Sequence, residues 1–134
     1  MFGGWQWAGD ILSRIQPSLL VTLKQQVELV QAASDILRSA LAKPIAPLVP
    51  RPALMLLGYV TTALYLLEHA IWSYENHLSS VELEIDVEVF ARWVGESGLD
   101  AAVKDVQKAK AAGPERMRQN EMLVYHDEKK PAKL

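Results

Sequence analysis

The chain has 134 residues, half of them hydrophobic, with 14 basic against 16 acidic side chains and a formal charge of -2. That length allows one domain with a modest core, and the charge balance lacks the basic excess that neutralising many phosphates requires, so no nucleic-acid partner is expected. With no cysteine, disulfides, thiolate nucleophiles and thiolate metal sites are excluded.

Met1 to Trp7 offers neither a basic n-region nor a long apolar stretch ending in a cleavage site, so no secretory leader is expected; the abrupt Met-Phe-Gly-Gly start is read as that of a fragment. Asp10, ahead of Ile11 and Leu12, reads as the cap of a short turn that Pro17 interrupts, because proline lacks an amide donor and clashes with the turn before it. A long amphipathic helix is expected from about Ser18. Its buried seam is Leu20, Leu23, Val27, Val30, Ser34, Leu37 and Leu41, which alternate in steps of three and four.

Residues 43–52 hold four prolines, Pro44, Pro47, Pro50 and Pro52, and read as a stiff linker, with Pro52 opening the next helix. That helix, about Ala53 to Tyr74, is apolar on nearly every side as far as Glu68, the pattern of a helix buried among neighbours or of a membrane span. The 16 uncharged residues between Arg51 and Glu68 extend roughly 24 Å as helix against a hydrocarbon core of about 30 Å, and Glu68 and His69 would have to enter the bilayer. The buried-helix reading is preferred.

Val81, Leu83, Ile85, Val87 and Val89 alternate with Glu82, Glu84, Asp86 and Glu88, a period of two that belongs to a strand. No second strand candidate exists to pair with it, so an extended lead-in is expected, followed by a helix capped by Asp86, with Phe90, Trp93 and Val94 inward and Gly95 to Gly98 at its end. Leu99 to Ala112 reads as a lighter helix with Ala102, Val103, Val106 and Ala109 inward. Gly113 closes it and Pro114 opens a last helix toward Tyr125. No internal repeat is present.

Glu68, Trp72 and Glu75 share one helical face, and paired carboxylates suit acid–base chemistry. The structural reading is preferred: Glu75 solvated near a helix end, and Glu68 a buried carboxylate paired with a neighbouring helix or an arginine. His69 adjoins Glu68, whereas carboxylate-bridged dimetal bundles place Glu and His three apart on each of two helices, so no metal site is expected. No glycine fingerprint, P-loop or GxSxG nucleophile motif occurs. The charges from Lys104 to Arg118, interleaved with Asp105 and Glu115, describe a solvated face.

The last three residues, Ala132, Lys133 and Leu134, are a conservative form of the Ser-Lys-Leu signal and follow the charged stretch Glu128-Lys129-Lys130-Pro131. They are expected to engage the peroxisomal import receptor, with a cytoplasmic location as the alternative.

Two segments carry a family resemblance: Leu64-Tyr65-Leu66-Leu67-Glu68-His69-Ala70-Ile71-Trp72, and Asp86-Val87-Glu88-Val89-Phe90-Ala91-Arg92-Trp93-Val94. With Gly98-Leu99 and Ala109-Lys110-Ala111-Ala112-Gly113-Pro114-Glu115-Arg116, they resemble the carboxyl-terminal helical region of acyl-CoA dehydrogenase-like flavoproteins, in the branch related to the alkylation-response type. The resemblance spans about residues 53–125. It implies an all-α fold, a role in fatty acid metabolism and a chain that is a truncated or split piece of such a flavoprotein. The FAD and acyl-CoA sites of the family belong to parts not seen here, so no catalytic residue, cofactor ligand or metal ligand is carried over, and FAD is implied only for a full-length relative.

The expectation is therefore an all-α protein: an antiparallel helical bundle of about four to five helices over residues 1–125, with a charged tail over 126–134. Its expected role is packing or oligomerisation, against a helical protein partner or another copy, without autonomous catalysis. The alternatives are a stand-alone peroxisomal helical interaction module, which would bind through the Leu20 to Leu41 face, and a small membrane-associated helical protein.

Overall fold

The computed structural model describes residues 4–42, 45, 47–76, 79–112 and 118–124. Prolines and one serine set three of the six helix starts. Gln16, just before Pro17, takes the extended backbone (φ -66°, ψ 146°) that a following proline imposes. The chain is thereby divided into α1 (Gly4–Ser13) and α2 (Pro17–Thr22), with Pro17 in the first turn of α2, where its missing N–H costs nothing. This corrects the reading of Asp10 as a cap. Asp10 lies inside α1, and its carboxylate takes a 3.2 Å contact from Arg14 one turn on.

The long helix expected from Ser18 is interrupted at Leu23 (φ -106°, ψ 17°), where α3 (Lys24–Ala40) begins. The ladder nevertheless runs through the bend: Leu23 donates to the Leu19 carbonyl at 3.0 Å and accepts from Val27 at 2.8 Å. The expected seam is buried at Leu23, Val27, Val30, Ser34 and Leu37, widened by Ala33 and Ala40, while Leu20 is exposed and Leu41 only partly covered.

After the proline segment comes α4 (Pro50–Glu75), which starts two residues before the expected Pro52; both prolines fit its first turn. It packs against α1, α3, α5 and α6. The buried side follows a three-and-four spacing through Ala53, Leu56, Val60, Ala63, Leu67 and Ala70, joined by Leu64 and Ile71.

The expected extended lead-in is overturned. The alternating segment is helical throughout, as α5 (Ser80–Glu96), and its cap is Ser79 rather than Asp86. Ser79 Oγ accepts from the Glu82 amide at 3.2 Å, and the Glu82 carboxylate accepts from the Ser79 amide at 3.3 Å. This reciprocal box satisfies two helix-start donors locally, whereas an unpaired strand would satisfy none. Phe90 and Val94 are buried as expected, and the partly buried Trp93 donates its indole N–H to the Tyr59 carbonyl at 3.1 Å.

Gly95 stays within α5. The turn falls at Gly98, whose φ of 104° favours glycine, and α6 (Leu99–Ala111) follows with Leu99, Ala102 and Val106 buried and Val103 and Ala109 partly so. Residues 118–124 are again helical. The expected last helix toward Tyr125 is thus described only in part, since Gly113, Pro114 and Tyr125 lie outside the described residues.

Among the described residues there is no strand, and the fold is all-α with six helices and the further stretch at 118–124, more than the four to five expected. The core joins Ile11 of α1, Leu23, Leu37 of α3, Leu56 and Leu67 of α4, Phe90 of α5 and Leu99 of α6, all essentially inaccessible to solvent. Each such side chain contributes roughly 1.5–3 kcal/mol relative to exposure.

Candidate functional site

Several of the side-chain hydrogen bonds between helices gather on the second half of α4, where α1 and α5 flank it. From α1, the Trp7 indole Nε1 donates to Glu68 Oε2 at 3.2 Å, and the Trp7 ring lies 4.9 Å from that of Tyr65. Glu68 is only partly buried, where a buried carboxylate was expected, and of the two expected pairings, with a neighbouring helix or with an arginine, it makes the first, to the indole on α1. Glu75 is exposed at the helix end, as expected, and Trp72 stacks on His69 with ring centroids 5.8 Å apart and planes 11° from parallel.

From α5, Asp86 reaches back to α4 with both carboxylate oxygens. Oδ2 accepts from the fully buried Ser73 hydroxyl, and Oδ1 lies 3.4 Å from His69 Nε2, the geometry of an ion pair when the imidazole carries a proton. Ser73, His69 and Asp86 are the residue types of a hydrolytic triad, but their connectivity differs. In a triad the imidazole stands between hydroxyl and carboxylate, to take the nucleophile's proton. Here the carboxylate stands between, the hydroxyl proton is directed to Asp86, and Ser73 Oγ is sealed from any substrate. The cluster clamps α4 to α5. Among the described residues, no group of three or more His, Asp or Glu is placed to hold a metal ion.

The remaining functional surface is apolar. In a helix, an alternation of period two spreads hydrophobic side chains around the axis, so α5 cannot hide them all. Leu83 and Val87 are half-buried, whereas Val81, Ile85 and Val89 face solvent. These three edge an open groove of about 810 Å³ between α2, the end of α4 and α5. Its floor includes Leu19, and Glu84, Glu88 and Arg92 stand on its rim. Arg92 donates to Glu88 at 2.8 Å, and its pKa is raised by that hydrogen bond, then by the charges of Glu88 and Glu96. Tyr74, also lining the groove, shares a 2.6 Å hydrogen bond with Ser18 of α2.

A second apolar face runs along α4, where Leu54, Met55, Tyr65 and Trp72 are exposed. This helix is long and apolar enough to cross a membrane by length and composition. Both faces escaped the sequence reading, which treated α4 as covered on all sides and the start of α5 as extended. The signal for the second was present in the Ser79 to Glu82 capping box. The targeting signal expected at Ala132, Lys133 and Leu134 lies outside the described residues.

Compared with protein-family models, curated proteins and solved structures, the chain finds no match.

Proposed function

We propose that this chain is a helical packing module, a counterpart of the carboxyl-terminal helical region of acyl-CoA dehydrogenase-like flavoproteins, that works by covering apolar surface on a helical protein partner or on another copy. One observation carries the reading: two exposed apolar faces, on α4 and α5, stand on a fold whose core is complete without them. Exposed patches rimmed by polar groups mark interaction sites, and the acidic rim of the α5 groove suits helical surfaces with basic flanks.

Protein is preferred to membrane as the covering partner. The opposite side of α4 is already packed against α3, α5 and α6, and Arg51, Glu68 and His69 lie on or beside the open face, where a bilayer would have to take them in. FAD binding is not assigned to this chain. The groove is rimmed by Glu84 and Glu88, the one cation among its described lining residues, Arg92, is engaged by Glu88, and a dinucleotide diphosphate needs donors and positive charge instead. The peroxisome remains the proposed location, resting on Ala132, Lys133 and Leu134.

The test is to mix the purified chain with an acyl-CoA dehydrogenase-like flavoprotein of the alkylation-response-related branch from which the carboxyl-terminal helical region has been removed. A stoichiometric complex that Ile85→Lys weakens is the expected result. A chain that binds neither this protein nor itself contradicts the reading.

A further inference from the structure

Three features of α4 run against the interests of an isolated helix. Arg51 stands in its first turn and Glu75 in its last, each at the end of the helix dipole that repels its charge. Neither has an ion-pair partner among the described residues, and both are exposed. Gly58 lies well inside the helix, where glycine is disfavoured by about 1 kcal/mol relative to alanine, yet a Cβ there would meet nothing within 4 Å. Nothing among the described residues requires the glycine. Finally, Leu54, Tyr65 and Trp72 are 69%, 63% and 49% exposed.

These features share one line on the helix, spaced in alternating steps of three and four from Arg51 to Glu75, the seam of a two-stranded helical pair. The seam reads the same from both ends about Ala63. Laid antiparallel on a second copy, it sets Arg51 opposite the partner's Glu75, Leu54 opposite the partner's Trp72, Gly58 opposite the partner's Glu68, and Thr61 opposite the partner's Tyr65. Each pairing occurs twice, as a two-fold axis demands.

We propose that α4 pairs with α4 of a second copy of this chain in an antiparallel, two-fold symmetric dimer, with Arg51 of each copy against the partner's Glu75. The arrangement accounts for all three features. An antiparallel pair brings the N-terminal end of one helix beside the C-terminal end of the other, so each misplaced charge meets both an opposite charge and the dipole end that attracts it. Gly58 gives room to the partner's Glu68 and to the Trp7 indole bound to it, and the exposed apolar side chains cover one another. The proposal rests on the packing-module reading and names its partner.

Sedimentation equilibrium of the full chain in detergent-free buffer tests it. The native chain is expected to show a reversible monomer–dimer equilibrium. Gly58→Leu should weaken dimerisation at least tenfold while leaving the fold intact, since leucine favours an exposed helical position. Arg51→Glu should weaken it about tenfold, and Arg51→Glu combined with Glu75→Arg should restore it to within a few-fold of the native value; both charge changes suit the helix dipole and spare the fold. A monomer at every concentration, a dimer indifferent to Gly58→Leu, or a double variant no better than Arg51→Glu would overturn the pairing. A monomer that still binds the truncated flavoprotein defeats this inference alone; one that binds nothing defeats the packing-module reading as well.

Discussion

The indole of Trp7 and the carboxylate of Glu68, 61 residues apart in the chain, meet at 3.2 Å and tie α1 to the second half of α4. The bond gives Glu68 a structural partner, and it holds the edge of the open α4 face in one conformation.

Trp7→Phe keeps most of the ring and removes the donor. A hydrogen bond to a charged group contributes about 1.5–3 kcal/mol, less where water reaches it, so a loss of about 1 kcal/mol is expected from urea denaturation of the variant. Combined with Glu68→Gln, the second substitution should add little, because the pair acts as one unit.

The Ser79 to Glu82 box decides the start of α5. Ser79→Ala should cost about 1 kcal/mol and fray the first turn, read as faster amide exchange at residues 82–84. Asp86→Asn should leave that turn unaffected, because Asp86 binds Ser73 and His69 rather than the helix start.

Two glycines three residues apart should respond with opposite signs. Gly98 has φ of 104°, and an added Cβ would lie 3.4 Å from the Tyr59 hydroxyl, so Gly98→Ala should destabilise by at least about 1 kcal/mol. Gly95 is helical with open space around it, and Gly95→Ala should stabilise by a few tenths of a kcal/mol. Thermal denaturation of the two variants side by side checks both.

The proposed targeting role of Ala132, Lys133 and Leu134 is tested by imaging. A fluorescent protein fused ahead of the full chain should collect in peroxisomes, and removing Ala132, Lys133 and Leu134 should return it to the cytoplasm. The same distribution with and without the three residues counts against a targeting role.

Elements with a strong 3.6-residue period were legible in the sequence: the α3 seam through Val27, Val30 and Leu37, the apolar α4, and the inward Leu99-side residues of α6. The bend at Leu23 was not, because it keeps the hydrogen-bond ladder and leaves no mark on hydrophobic spacing. The start of α5 was misread for a different reason. Alternation reports which residues are apolar, whereas a local capping box decides the backbone, and here the box prevails at the cost of leaving Val81, Ile85 and Val89 in water. The clamp of Ser73 on Asp86 joins a hydroxyl in an apolar helix to one acid among several, and only the packing of α4 on α5 singles that pair out.

The central claim is that the open faces of α4 and α5 are made for protein rather than lipid. Its most direct test is the light-scattering mass of the purified chain in detergent-free buffer, followed by flotation with phosphatidylcholine–phosphatidylserine vesicles. The account predicts a soluble species heavier than the 15.0 kDa chain, growing with concentration and remaining behind when the vesicles float. A chain that stays in solution only with detergent, or that floats with the vesicles until Leu54 and Trp72 are replaced by lysine, would contradict it.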